Sequence, residues 1–290
     1  MSTLDPLPLP ALPEREADSH KGTYGSVLVV AGSRRYPGAA VLTALGAGRS
    51  GAGLVRLALP RGIVPSVVPA VPFATVMPCT ETADGQLAAG AQAEILGEAE
   101  VCQSAVIGPG IGQSEETGRL LLGLLPALEL PVVLDADALN LLARGGLDVL
   151  RHRHAPTVLT PHPGEFARLT GYDAPARGER VAQAAELARR TGCIVVLKGH
   201  GTVVTDGKRS RTESAGNPGM ATGGMGDVLA GAIGALLAVI ADPAAAAALA
   251  VRAHARAGDM AATDLGQEAV LPEDVTRRIG LALAAHREGR

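Results

Sequence analysis

The sequence predicts an α/β fold: one domain built on a central, mainly parallel β-sheet with helices on both faces. Three observations carry this prediction. Short apolar runs rich in Val, Leu and Ile recur along the chain. Each ends in glycine, proline or a polar residue, as strands buried on both faces do. Segments of helical spacing lie between the runs, and regular alternation of strand and helix is the α/β pattern.

The first 19 residues carry Pro6, Pro8, Pro10 and Pro13 and read as a flexible or extended arm, leaving 20–290 as the domain. Strands are expected at 27–31, 54–59, 105–107, 132–134, 157–159 and 194–197. Helices are expected at 39–49, 115–125 and 177–191, the last with Val181, Ala184, Ala185 and Ala188 on one face. The part after Asp227 reads as largely helical, over 228–240 and the alanine-rich 243–262. No linker or solenoid period divides the chain.

Composition narrows the function. Hydrophobic residues make up 47% of the 290 positions, which argues against disorder. Aromatics are only 2% and Trp is absent, so the core is aliphatic and platforms for stacking strings of bases are not expected. The net charge of −3 gives no basic surface for tracking phosphates, which argues against nucleic acid. Cys79, Cys102 and Cys193 are odd in number, far apart and without C-x-x-C spacing, as buried thiols in a reducing compartment would be. The lead lacks a signal-peptide pattern, and the apolar run 228–241 is too short for a bilayer and stops at Asp242-Pro243. These features point to a soluble, cytoplasmic protein.

Among the glycine-rich segments, Gly46-Ala-Gly48-Arg-Ser-Gly51 matches G-x-G-x-x-G but closes a helix and precedes a strand. A dinucleotide fingerprint needs the reverse order, so this is a helix end and tight return. Gly108-Pro-Gly110-Ile-Gly112 directly follows a strand and precedes a helix. It is either a ligand-binding turn at a strand's carboxyl end or an ordinary connection. The segment 217–227 differs in kind, with four glycines in the eight residues before Asp227, just ahead of a long apolar helix. Helix-capping explains Asp227 but not the glycines. Free N–H groups and partial positive charge at such a helix start bind phosphate, and Asp227 can accept a proton from an attacking hydroxyl. The spacing is not that of a P-loop.

Other segments end strands in the same way. Thr160-Pro-His162-Pro-Gly164-Glu165 supplies a histidine able to hydrogen-bond substrate and a carboxylate able to hold Mg²⁺ through water, although Glu165 also suits a helix's first turn. Lys198, Gly199, His200, Gly201 and Thr202 offer a cation and free amides to a nucleotide phosphate, or else a hairpin turn. Asp135 and Asp137 either assist a metal or cap the following helix. His152 and His154 lack partners at metal spacing and read as surface residues.

Seven segments together resemble one known family. They are His20-Lys-Gly-Thr-Tyr-Gly25, Gly51-Ala-Gly-Leu-Val, Gly108-Pro-Gly110, Leu134-Asp-Ala-Asp-Ala-Leu-Asn140, Thr160-Pro-His-Pro-Gly-Glu165, Lys198-Gly and 217–227. In this order across almost the whole chain they are closely similar to the ADP-dependent NAD(P)H-hydrate dehydratases of the ribokinase-like superfamily. The resemblance implies that ADP phosphorylates the ring hydroxyl of (6S)-NADHX or (6S)-NADPHX and that phosphate then leaves, giving NADH or NADPH and AMP. It implies Asp227 as base, Gly224 and Gly226 as anion-binding amides, and Ala39, Gly110, Gly112, His162 and Asp227 on the hydrate. It further implies residues 198–202 and Gly226 on the nucleotide, Mg²⁺ at Glu165, and a homo-oligomer, commonly a tetramer. Only about twenty residues precede His20, so epimerisation of the (R) hydrate is expected from a separate protein. The alternatives are a small-molecule kinase of the hydroxyethylthiazole or sugar type and, argued against by an intact Asp227, a non-catalytic nucleotide sensor.

Overall fold

The computed structural model describes residues 4–176 and 178–289. Ten strands are found there: β1 Asp5–Pro6, β2 Ser26–Val30, β3 Leu54–Pro60, β4 Thr75–Cys79, β5 Ser104–Ile107, β6 Val132–Leu134, β7 Thr157–Leu159, β8 Ile194–Leu197, β9 Thr202–Thr205 and β10 Arg209–Glu213. The α-helices are α1 Pro37–Arg49, α2 Val64–Val67, α3 Gln92–Ala99, α4 Glu115–Ala127, α5 Asp137–Gly145, α6 Asp148–Arg151, α7 Pro163–Thr170, α8 Arg180–Thr191, α9 Met225–Leu237, α10 Pro243–Leu265 and α11 Pro272–Arg287.

All strands join one sheet in the order β1-β10-β9-β8-β7-β6-β5-β2-β3-β4. The run from β8 to β4 is parallel, and only β9 pairs antiparallel, with β8 and with β10. Successive side chains on a strand point to opposite faces. Val27, Val29, Val106, Val133 and Val158 therefore join a core with α1, α9, α10 and α11. Leu28, Val30, Ile107, Leu134 and Leu159 join a second core with α3, α4 and α5. The strand order reverses between β2 and β5, where open α/β sheets place ligands.

All six expected strands are present, with ends moved by a residue or less. The expected helix 177–191 runs from Arg180, and Arg177 lies outside the described residues. Four strands gave little sequence signal. Pro78 interrupts β4, which is tolerated because β4 lies at the sheet edge. Charged residues alternate through β10, which is nonetheless hydrogen-bonded on both sides, to β9 and β1.

Within the lead, read as flexible or extended, Asp5–Pro6 is extended and pairs with β10. The Asp5 and Leu7 amides donate to the Lys208 and Ser210 carbonyls, and Leu7 is 2% exposed. Further along, Pro10 O lies 2.9 Å from His286 Nε2, and Arg15 donates to Gly51 O while stacking on Tyr24. An apolar anchor and backbone pairing hold a segment whose prolines alone would suggest freedom. All three cysteines are buried free thiols. Among the described residues no helix is long and apolar enough to cross a membrane.

The placement of the turn before α9 depends on how that helix is seated against α1. A Cβ on Gly46 would overlap Val228 O, and one on Gly231 would overlap Thr43 O, so the two helix backbones touch. Gly231→Ala is accordingly expected to destabilise by about 1–3 kcal/mol through overpacking. Gly97→Ala in α3, where a Cβ meets nothing within 4 Å, should stabilise by up to about 1 kcal/mol from helix propensity. Urea unfolding of the two variants checks both signs; equal effects would refute the backbone contact.

Candidate active site at the carboxyl ends of the strands

The glycine-rich turn 223–226 leads into α9, whose N-cap is Gly224 at φ +93°. A side chain there would be strained and would overlap Leu42, so glycine is required. The first intrahelical bond to cross the turn is from Val228 N to Gly224 O. The N–H groups ahead of it have no carbonyl one turn earlier, which leaves them aimed outward with the helix's positive end. Asp227 lies inside this first turn and does not cap it. Its carboxyl is pushed up to about 7, first by burial, then by the Asp135 carboxylate, against the lowering effect of Lys198.

Asp135 follows β6 directly and is 1% exposed. Of the two readings of Asp135, metal-assisting or capping, the cap does not hold: the cap position of α5 is Ala136. Asp135 Oδ1 accepts from Lys198 Nζ at 2.6 Å and from Thr160 Oγ1 at 2.7 Å. Its Oδ2 is buried without a partner among the described residues. A carboxylate oxygen held this way is costly unless a ligand group reaches it. Lys198 continues from β8, and its Nζ also lies 3.9 Å from Glu165 Oε2. Burial alone would lower the lysine's pKa, but the Asp135 and Glu165 carboxylates raise it, so the ammonium stays charged. It lies 3.2 Å from where a Cβ on Gly226 would sit, alongside the glycine turn.

His162 caps α7 in a reciprocal arrangement. Its Nδ1 accepts from the Gly164 and Glu165 amides, while Glu165 Oε2 accepts from His162 N. Glu165 is thus a first-turn carboxylate of α7 that also faces Lys198. Burial pushes Glu165 up to about 7, and Lys198 opposes the shift. Burial, Lys198 and Arg168 hold His162 below the usual imidazole range, so it is neutral near pH 7. An accepting Nδ1 puts the proton on the half-exposed Nε2.

On the β2–β5 side, Gly108, Gly110 and Gly112 all have positive φ. A Cβ on Gly110 would fall 2.8 Å from Ala39 Cβ and 2.7 Å from Tyr36 Cβ, which places α1's first turn against this loop. Asp137 fastens it: Oδ2 accepts from Gly112 N at 2.9 Å and Oδ1 from Gln113 Nε2 at 2.7 Å. Between the two acids, Ala136 has φ +51°, the one positive value at a non-glycine among the described residues. Such strain persists where surroundings enforce it. Here it separates the flanking carboxylates, sending one to Lys198 and the other to the Gly112 turn. Hydrogen bonds to a charged group contribute about 1.5–3 kcal/mol, so Asp137→Ala should speed hydrogen exchange at the Gly112 amide about tenfold or more. Unchanged exchange would mean that the turn holds itself.

The structure therefore brings Asp227, Gly224, Gly226, Lys198, Glu165 and His162 to one end of the sheet, with Ala39, Gly110 and Gly112 beside them. It does not bring all of 198–202 inward. Those residues form the β8–β9 hairpin connection, with Gly199 and His200 exposed and Thr202 Oγ1 donating to Gly199 O. Only Lys198 reaches the cluster. Thr160 and Tyr36 were given no role from sequence, and Asp135 and Asp137 were read as metal-assisting or helix-capping acids, with neither the Lys198 pair nor the Gly112 contact foreseen. Their shared signal is position, within a few residues of a strand's carboxyl end. His152 and His154 are exposed, as expected. A cavity of about 550 Å³ bordered by Arg15, Tyr24, Ser50 and Leu283 lies at the opposite end of the sheet, away from these groups.

Comparison with known proteins adds the following. Residues 27–280 match the family model described as NAD(P)H-hydrate dehydratase. The bifunctional NAD(P)H-hydrate repair enzyme of Thermofilum pendens is 42% identical over 99% of this chain and 55% of its own length. The ADP-dependent (S)-NAD(P)H-hydrate dehydratase of Bacillus subtilis is 39% identical over 86% of this chain and 85% of its own. The chain thus spans about half the length of the bifunctional relative and most of the shorter one. The crystal structure of the ADP/ATP-dependent NAD(P)H-hydrate dehydratase of Bacillus subtilis, co-crystallised with ATP and Mg²⁺, superposes with a TM-score of 0.78. It is 33% identical and covers 94% of each chain. A hydroxyethylthiazole kinase of Pyrococcus horikoshii, at TM-score 0.60 and 18% identity, shares the ribokinase-like fold.

Proposed function

Since the chain belongs to the NAD(P)H-hydrate dehydratase family, we propose that it repairs hydrated nicotinamide cofactors, converting (6S)-NADHX and (6S)-NADPHX to NADH and NADPH with ADP as phosphoryl donor. The single observation carrying the site assignment is Asp227, with its carboxyl pushed up to about 7, in the first turn of α9 beside a charged lysine. A general base works best with a pKa near the working pH.

Hydroxide is a poor leaving group, and phosphorylation makes it a good one. The hydrate's ring hydroxyl gives its proton to Asp227 as its oxygen attacks the terminal phosphorus of ADP, and the bond from that phosphorus to AMP breaks. The free amides of 223–226 and the Lys198 ammonium hold the charge on the transferring group. Phosphate then departs with the C–O bonding electrons, a neighbouring ring carbon gives up a proton, and the double bond is restored. Ala39, Gly110, Gly112 and His162 form the hydrate's side of the site. Residues 198–202 and Gly226 form the nucleotide's side.

The residues present fit Mg²⁺. It needs only one or two carboxylates when phosphates and water fill its other positions, and among the described residues Asp135 Oδ2 has no partner, with the buried Glu165 nearby. When bound, the ion would offset negative charge on the donor's phosphates. We place residues 20–290 as the catalytic unit, in a cytoplasmic homo-oligomer, a tetramer by family likeness. An epimerase acting on the same pool would feed it the (S) form.

Incubation with (6S)-NADHX, ADP and Mg²⁺ should restore the absorbance of reduced nicotinamide. No recovery would refute the reading, and a stable phosphorylated hydrate would make the protein a kinase.

A further inference from the structure

Tyr36 occupies a position where physical chemistry favours another residue. It is the N-cap of α1, where Ser, Thr, Asp or Asn would bond the free amides, and its side chain makes no capping bond. The ring is not hidden in compensation, since Tyr36 is 46% exposed. In a chain with three Tyr, two Phe and no Trp, an aromatic ring displayed at a helix start is a conspicuous use of a scarce residue. No hydrogen bond to its hydroxyl is present among the described residues, and Arg35 lies 5.4 Å from the ring centroid.

Its setting is the site already described. Gly110, at φ +64°, is bare where a Cβ would meet both Tyr36 Cβ and Ala39 Cβ. The base of the Tyr36 side chain thus sits at the junction of α1 and the β5 loop, the two pieces assigned above to the hydrate. That substrate keeps a flat conjugated portion, the ring nitrogen, one carbon–carbon double bond and the carboxamide. Elimination extends this flat portion. A half-exposed ring beside bare glycine backbone suits a planar heterocycle with little bulk on its other side.

Building on the dehydratase reading, we propose that Tyr36 is a specificity-determining residue whose ring stacks on the nicotinamide-derived ring of the substrate and of the reduced product. The hydroxyl is dispensable for this and the ring is not. Stacking of a base on an aromatic side chain corresponds to about tenfold or more in affinity on removal.

The test compares Tyr36→Ala and Tyr36→Phe. In turnover with (6S)-NADHX and ADP, Tyr36→Ala should raise KM for the hydrate about tenfold or more, leave KM for ADP within about twofold, and keep the wild-type Tm. Tyr36→Phe should match the wild type throughout. A KM for the hydrate within about twofold of wild type in Tyr36→Ala, or a rise in KM for ADP instead, overturns the proposal. Fluorescence titration with NADH and with reduced nicotinamide mononucleotide reads the same contact without turnover. Loss of affinity for both in Tyr36→Ala supports nicotinamide stacking even if the wild type proves inactive on NADHX, which would count against the dehydratase reading alone. Loss for NADH only would place adenine on Tyr36 and refute the assignment, as would no loss at all.

Discussion

Asp227→Asn is expected to lower kcat by about 10²–10⁴-fold, the usual contribution of a positioned general base, while ADP still binds. The substitution keeps shape and removes the ability to take a proton, and no helix cap is lost because the N-cap of α9 is Gly224. The wild-type enzyme should show a rate that rises with pH through about 7, since the raised carboxyl must ionise before it can act. The stability effect has the opposite sign. Ionising a carboxyl whose folded pKa lies above its unfolded value costs folding free energy, so this group favours the fold at low pH and loses that contribution as pH rises through about 7. Asp227→Asn should therefore have a Tm at pH 8 equal to or above the wild type. Steady-state kinetics, nucleotide titration and thermal melts at pH 6 and 8 check all three statements. A variant with near-normal kcat, or one that melts lower at pH 8, would remove Asp227 from the chemistry.

Such a combination, a variant that is more stable and less active, also marks where the sequence could be read and where it could not. The turn before α9 was legible because glycine density just ahead of an apolar helix has few structural uses. The six central strands were legible because both of their faces are buried, which writes an uninterrupted apolar run into the chain. β4 at one edge of the sheet and β10, one strand in from the other, are only partly buried and lack that constraint, so β4 with Pro78 and β10 with its charges were silent. The reading of the lead as flexible or extended went no further because proline content reports local stiffness, whereas the burial of Leu7 and the pairing of β1 with β10 are long-range facts. The same limit hid the partner of Asp135. Its neighbours in sequence suggest a cap, and its actual partner, Lys198, is 63 residues away. Sequence places each acid at a strand end, but only the sheet order decides which strand ends face one another.

That distant pair yields the second large effect. Lys198→Met should reduce kcat about 10²–10³-fold, as removal of a preorganised charge at the reacting group does. A lysine serving only as an outlying nucleotide contact would instead raise KM for ADP with kcat preserved. The substitution also strands the buried Asp135 carboxylate, so a stability loss of about 3–5 kcal/mol is expected. The double variant Lys198→Met with Asp135→Asn removes both charges and should regain much of that stability without regaining activity. This separates the chemical role from the structural one. The pH profiles give an independent check. Lys198 lowers the Asp227 pKa and Asp135 raises it. Lys198→Met should therefore move the acid limb of kcat/KM above the wild-type position near 7, and Asp135→Asn should move it below. Two neutralising substitutions in one ion pair that displace the same limb in opposite directions require a titrating group between them. If both variants left the limb in place, the titrating base would be a residue other than Asp227.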